Sequence, residues 1–539
     1  MMIKKIGTAY KIAGIFIALA AVVSCKKNSI NAAQLTLGNI TDTIPAGGGA
    51  VALTFNSNAA WSIDTTGLGW LKLSQTSGGS GAATITLTGA ANNKLGASRS
   101  LLLNLNAGNG QIRRITVWQD VIIYPSYNTS AIAADASGMS STASQIANNI
   151  TYGWNFYNTL EAPGSEQGSW GPPPITQQQF DMLKANGVNA VRIPIRYDGT
   201  IANGGHVINT KTAQIDPVWL ARIHQIVQYA INDGIYVTIN IHYDPGNNNG
   251  NNGNNPSTQP TGAVQDTANA KHKAFWEQIA TAMRDFDEHL MFASLNETVG
   301  TDMSSMLAVM RYHQTFINAV RSTGGKNVYR TLVIQSPSAS TDILNQYLDP
   351  TNVYKTPSLP TDPTPHKMML EFHYYSPSQF CILGGDASWG KELYFWGSRK
   401  TYFVNGKYDT YHTTNTLFLD RNCSYNEENY ADSIFKTVKK RFADKGIPLF
   451  MGEYAPQYHA ERLTGYPADS LKALASATHF TAYIAQQAKA NGVIPYLWAG
   501  VFNRPSGAAA YVGDQVTLDS IKVGVNRGIA AYGQGTPFK

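Results

Sequence analysis

The chain has 539 residues, more than one compact domain needs and enough for a large α/β domain of roughly 250 residues or more beside an accessory module. Hydrophobic residues make up 43% and charged residues 14%, so real cores can be filled while the surface leans on Gly, Asn, Ser and Thr, a balance suited to a protein outside the cytoplasm. The net charge of +6 is scattered as isolated Lys and Arg, with no basic block or groove-reading motif, which argues against a nucleic-acid partner.

The first residues read as a targeting segment. Lys4, Lys5 and Lys11 precede an apolar run from Ile12 to Val23, followed by Ser24 and Cys25. The run is too short for a membrane span and suits a signal peptide. Val22-Val23-Ser24-Cys25 resembles a bacterial lipoprotein box. That resemblance implies removal of residues 1–24, lipidation of Cys25 in the outer membrane, and a tether over 25–32; an ordinary signal peptide with an incidental Cys is the alternative. Lys26 and Lys27 leave periplasmic face and cell surface equally open.

Residues 33–122 are expected to form a small all-β sandwich. Short alternating runs at Gln34–Leu37, Ala50–Phe55, Thr84–Thr88, Ser100–Leu105 and Ile112–Trp118 are separated by Gly/Asn/Ser turns. Trp61-Ser62-Ile63, Trp70-Leu71, Gly78-Gly79, Arg99 and Ile115-Thr116-Val117-Trp118-Gln119 are similar to BACON-type immunoglobulin-like modules. Trp61 and Trp70 are read as core or end-cap aromatics in preference to sugar-stacking platforms. The module is accordingly read as a spacer.

Periodicity is lost from Val121, and residues 123–137 are read as a linker. From 138 to 539, strand-length apolar runs alternate with helical patterns: Thr151–Asn155, Ala190–Ile195, Tyr236–His242, Met291–Leu295, Thr331–Gln335, Met368–Tyr375, Pro448–Tyr454 and Ile494–Trp498. Eight strands with intervening helices predict a (β/α)8 barrel, an α/β fold. Thr176 with Gln179 fits a capping box, and Leu220, Ile223, Ile226, Val227 and Ile231 mark one face of the next helix. Two conspicuous loops are expected on the rim. One is the Asn/Gly-rich stretch 246–255. The other is a long insertion before Phe450 carrying Trp389, Tyr394, Trp396, Tyr402 and Tyr408, whose aromatics either stack on sugar or pack among themselves. Cys381 and Cys423 lie in that loop; with no CxxC and no His pair at ligand spacing, no metal or cofactor is expected, and the two thiols either pair or stay separate.

Polar groups recur where the apolar runs end: Arg192, His242, Asn296-Glu297, His373 with Tyr375, Glu453 and Trp498. In a barrel these ends converge on the face that carries the active site. The ordered motifs Gly153-Trp154-Asn155-Phe156-Tyr157-Asn158-Thr159-Leu160, Gly187-Val188-Asn189-Ala190-Val191-Arg192-Ile193-Pro194, Leu295-Asn296-Glu297, Glu371-Phe372-His373-Tyr374-Tyr375 and Gly452-Glu453-Tyr454 resemble glycoside hydrolase family 5 over about residues 138–505. The opening motif looks most like subfamily 4, whose members are endo-β-1,4-glucanases. The resemblance implies a retaining mechanism with Glu297 as acid/base and Glu453 as nucleophile. It implies that Arg192 and Tyr375 hold Glu453 ionised, that Asn296 binds a 2-hydroxyl, that His242 and His373 add hydrogen bonds, and that Trp498 is the floor under the sugar. Asn155, Asn158 and Trp389 are expected to bind substrate. The expected partner is a β-glucan such as xyloglucan, mixed-linkage glucan or soluble cellulose; a mannanase, a xylanase or a sugar-binding lipoprotein are the alternatives, and a monomer is expected. Three positions depart from the family pattern. Tyr243 stands in a His-His-Asp motif, Thr298 replaces the Pro after the acid/base, and Phe156-Tyr157 replace Leu-Gly in the opening Trp-Asn-Leu-Gly-Asn.

Overall fold

The computed structural model describes residues 34–38, 41–92, 98–108, 110–119, 123–164, 169–242, 263–298, 300–347, 359–398, 401–404, 406–498 and 500–539. Cys25, Tyr243, Asp244 and the Asn/Gly-rich stretch 246–255 lie outside the described residues.

The N-terminal region is a sandwich of two sheets. One orders Leu35–Leu37, Gly49–Ser57, Gly81–Gly89 and Leu71–Leu73; the other orders Thr41–Ile44, Ile112–Gln119, Arg99–Ala107, Trp61–Ile63 and Ser77–Gly78. Alternation drives the packing: Leu53 and Phe55, Ile85 and Leu87, Leu103 and Leu105, and Ile115 and Val117 all face the shared core. The strands Thr41–Ile44, Leu71–Leu73 and Ser77–Gly78 leave no mark in the sequence pattern, because runs of two to four residues are too short to display a period. Trp61 is buried edge-on to Phe55 with ring centroids 4.8 Å apart. A Cβ at Gly78 would meet its ring at 2.6 Å, which accounts for glycine there. Trp70 is half-buried beneath the Arg99 guanidinium, 4.6 Å from its ring centre.

Eight parallel strands close the second unit into a barrel: Gly153–Asn155, Ala190–Ile195, Tyr236–Ile241, Leu290–Ala293, Leu332–Gln335, Met368–Tyr374, Leu449–Tyr454 and Val493–Leu497. Period-two alternation divides each strand between two environments. Val191, Ile193, Ile239, Phe292, Leu370 and Met451 pack outward against the helices, whereas Ala190, Tyr236, Met291, Val333, Met369, Phe450 and Tyr496 fill the interior. A short helix, Ala143–Asn149, supplies Ala143, Ile146 and Ala147 to the interior cluster and so plugs the N-terminal mouth.

That helix carries a complete capping box, Thr142 with Gln145. The expected box at Thr176 does not form: Thr176 precedes the helix Gln177–Ala185 but makes no side-chain cap bond, and the Gln179 amide donates to the Pro174 carbonyl instead. The following helix, Pro217–Asn232, buries Trp219, Ile223, Ile226, Val227 and Ala230, with Leu220 and Ile231 at the margin.

The stretch read as a linker is in part a strap bonded to the barrel. The buried Glu277 carboxylate accepts from the Ser126 hydroxyl and from the Tyr127 and Asn128 amides, at 2.6 Å for Tyr127. The Tyr127 phenol donates to the Thr212 carbonyl at 2.9 Å, the Asn128 amide to Ser322, and Arg284 to the Ser130 carbonyl. Ser98 of the sandwich donates to Asp266, which is also paired with Arg311 at 2.7 Å.

The long loop after the sixth strand splits by environment. Trp396 and Tyr394 are buried, Tyr402 stacks on Tyr411 at 5.0 Å, and only Trp389 and Tyr408 of the five aromatics face solvent. Cys381 and Cys423 are separate buried thiols within the barrel core. No helix among the described residues is long and apolar enough to cross a membrane.

Candidate active site

Arg192 sits on the interior face of the second strand, fully buried, and its guanidinium organises the barrel mouth. Nη1 donates to Glu453 at 2.9 Å and to Asn155 at 3.3 Å, Nη2 donates to Asn296 at 2.7 Å, and Nε pairs with Glu371 at 3.1 Å. A buried cation needs such a cage, because an unpaired charge here would cost several kcal/mol.

Glu453 reaches this cage through an irregularity in its strand. On the interior face Phe450 and Gly452 alternate, so Glu453 would be expected to point outward. The register shifts instead, with Phe372 opposite Met451 but His373 opposite Glu453, and Gly452 is skipped as a bulge that turns Glu453 inward. Gly452 must be glycine: a Cβ would lie 2.0 Å from a Glu371 carboxylate oxygen. The Tyr375 phenol donates to the other Glu453 oxygen at 3.0 Å.

Glu297 follows the fourth strand and takes the left-handed backbone conformation, φ +40°, which a side chain with a Cβ tolerates only when its surroundings enforce it. The enforcement is visible: its amide donates to the Gln335 side chain at 2.8 Å, while the Gln335 amide donates to Leu295 and to Glu371. Its carboxylate pairs with His373 Nδ1 at 2.7 Å, and the other ring nitrogen of His373 faces Glu371 at 3.2 Å. A His373 nitrogen and one oxygen each of Glu297 and Glu453 lie within 4.8 Å of one another. This closeness accords with double displacement, whose carboxyl groups stand about 5–5.5 Å apart, in preference to the roughly 6.5–9.5 Å of an inverting pair.

The two carboxylates differ in exposure, 34% for the Glu297 side chain against 7% for Glu453. Burial opposes charge on His373, but the Glu453 charge and the bonds to Glu297 and Glu371 lift it to about 10, so the ring is an imidazolium at neutral pH. Burial would also raise Glu297, yet His373 and Arg192 hold it below the usual carboxylate range. Glu453 is raised by burial and by the Glu297 charge, against the pull of His373, Arg192 and Tyr375. Its donors are fixed, because burial and the Glu453 charge hold the Tyr375 phenol protonated and the Arg192 guanidinium keeps its proton. His373 Nδ1 lies 2.7 Å from Glu297 but 3.7 Å from Glu453, so the hydrogen bond through which a proton can pass runs to Glu297.

His242 is kept neutral by burial and by the charges of Arg192 and His373. Its nitrogens face the Asn240 and Asn296 amides at 3.2 and 3.3 Å, and its ring lies parallel to Trp498 with centroids 5.9 Å apart. Arg192, Asn296, Glu297, His373, Tyr375, Glu453, His242 and Trp498 therefore meet at one mouth.

Asn155, expected on the substrate, is fully buried and committed to the scaffold: its amide donates to Gly452 and Leu497 carbonyls and its oxygen accepts from Arg192. Asn158 holds φ +56° in the loop above it. Trp389 is 57% exposed on its own turn, outside the bonded cluster.

Two further contributors emerge only in the folded chain. Glu371 lies two residues before His373 and hence on the same strand face, a signal the period contains. Gln335 ends the fifth strand, where an amide among apolar residues gives no hint of which backbone it holds.

The model of the family described as cellulase, glycosyl hydrolase family 5, matches residues 147–501. Endoglucanase A of Paenibacillus barcinonensis is 28% identical over 404 residues, covering 72% of this chain and 89% of the relative. The xyloglucan-specific endo-beta-1,4-glucanase of Bacteroides ovatus is 27% identical over 483 residues, 86% of each chain. Among solved structures, a xyloglucan-specific beta-1,4-glucanase from a ruminal metagenomic library, in complex with XXLG, superposes with a TM-score of 0.57 at 32% identity, covering 74% of this chain and 98% of that one. The chain thus belongs to glycosyl hydrolase family 5 and is a glycoside hydrolase.

Proposed function

We propose that the protein is a retaining, endo-acting hydrolase of β-1,4-glucan backbones, with Glu453 as nucleophile and Glu297 as acid/base. The observation that carries this reading is the asymmetry of the pair: Glu453 is buried between two fixed donors, while Glu297 is a third exposed and bonded to a protonated histidine. A sugar over Trp498 covers Glu297, desolvation raises its proton affinity, and the His373 proton crosses the 2.7 Å bond. Glu453 attacks the anomeric carbon as Glu297 protonates the departing oxygen. The resulting ester removes the Glu453 charge, so Glu297 stays ionised and takes a proton from the water that cleaves the ester. The proton then returns to His373. Asn296 faces the 2-hydroxyl, and Trp498 stacks beneath the ring.

The names of the relatives support a β-1,4-glucan, xyloglucan among them, and do not favour mannan or xylan. Azide tests the roles. With an activated β-glycoside, Glu453→Ala should yield the α-glycosyl azide and Glu297→Ala the β-glycosyl azide. The opposite anomers would exchange the two roles, and inverted product from the unmutated enzyme would reject double displacement.

The N-terminal sandwich is read as a BACON-type spacer and Cys25 as a lipid anchor in the outer membrane, on the sequence motifs alone. Cys25→Ala should move the protein out of the membrane fraction; retention there at high salt, with the signal segment removed, would refute the anchor.

A further inference from the structure

Tyr157 stands where the family's opening motif has glycine, and the structure gives this added ring a built seat. Arg504 donates to the Tyr157 carbonyl at 2.9 Å and to the Thr159 hydroxyl at 3.1 Å, while its guanidinium lies 5.3 Å from the Trp154 ring centre and 5.2 Å from that of Phe156. From the other side the buried Glu161 accepts from the Asn158 and Thr159 amides. The loop is therefore clamped between a guanidinium and a carboxyl group.

Clamped in this way, the half-buried Tyr157 ring lies beside Trp498, with centroids 5.8 Å apart and planes 37° apart. Trp498 is in turn parallel to His242. Among the described residues nothing hydrogen-bonds the Tyr157 phenol, and Gly500 leaves it room: a Cβ there would lie 3.6 Å from the hydroxyl. A clamped aromatic with an unused hydroxyl next to the sugar floor has the form of a sugar-stacking surface.

Strand order says which sugar it meets. In the closed barrel the fourth strand, which leads to Glu297, stands opposite the eighth, which leads to Trp498, and Tyr157 follows the neighbouring first strand. The leaving group is protonated on the Glu297 side, so the part of the chain that stays on the enzyme runs toward Tyr157.

We propose that Tyr157 is a specificity-determining residue that extends the Trp498 floor beneath the second sugar on the non-leaving side, stacking on it and offering its phenol as a hydrogen bond. This rests on the retaining β-glucanase reading above.

The test compares an aryl β-glucoside with the aryl β-cellobioside bearing the same leaving group, so that only the second sugar differs. Tyr157→Ala should lower kcat/KM on the cellobioside about three- to tenfold more than on the glucoside, the scale of one aromatic contact. Tyr157→Phe, which keeps the ring, should retain most of the preference for two sugars; should the alanine variant not fold, Tyr157→Leu removes the flat face while filling the seat. Equal losses on both substrates, or no loss on either, would overturn the assignment. Failure of the unmutated enzyme to cleave any β-1,4-glucan would instead overturn the functional reading on which it rests.

Discussion

Gln119 closes the last strand of the sandwich and Glu371 lies on the sixth strand of the barrel; both are fully buried, and their partners differ in kind. The Gln119 amide donates to the Pro45 and Ala90 carbonyls and its oxygen accepts from Arg99, which itself reaches back to Ala90. Every one of these bonds ends on scaffold. Glu371 is bonded to Arg192, His373 and Gln335, and each of these bonds onward to Glu453 or Glu297 at the open mouth. A buried polar group that terminates on backbone is structural; one that terminates on groups facing open space carries its charge into chemistry.

The largest effect that would break this contrast is at Glu371 itself. Glu371→Gln removes a charge that helps hold the His373 proton. The folded pKa of His373 is raised to about 10, so its stabilising contribution is complete below the unfolded value near 6.5 and is lost as pH rises through about 10. In the variant that loss begins at lower pH. The alkaline limb of kcat/KM should shift down, with activity at neutral pH falling roughly 10–100-fold, the scale on which a functional group suffers from losing its supporting partner. An unmoved alkaline limb, measured from about pH 5 to 10, would show that Glu371 is scaffold like Gln119.

The smallest effect should come from the other side of the contrast. Deleting the sandwich up to about residue 122 removes Ser98 from Asp266, but Asp266 keeps Arg311 and the strap keeps Glu277. Turnover of soluble glucan should stay within about twofold, since additive behaviour is expected of distant groups. A collapse of activity in a folded truncation would show that the module does more than space.

The barrel is legible in the sequence because apolar runs that end in polar and charged groups make sense where those ends converge, and the residues that meet at the mouth are readable by that rule alone. What the sequence hides is whatever depends on a partner far along the chain. Asn155 follows the rule of position but is buried by Gly452 and Leu497, from strands it does not adjoin in sequence. Glu371 stands inside a recognisable motif with no visible task, since only the bulge at Gly452 reveals that its carboxylate fills a neighbour's place. Thr176 has the right residues for a capping box and lacks the bond, while Thr142 completes one from an equally ordinary string. The aromatic loop is divided by packing: Trp396 lies against Phe480 and Tyr483, whereas Trp389 meets solvent.

The strap at Ser126–Ser130 has a mechanical consequence. It is fastened to Glu277, Thr212, Ser322 and Arg284, all outside the barrel strands, and the first barrel strand begins only at Gly153. A pull on the N-terminal end is shared among several bonds to residues of the outer shell. The strand that carries Asn155 lies downstream of the fastening, so tension is grounded before it can draw Arg192 from Glu453.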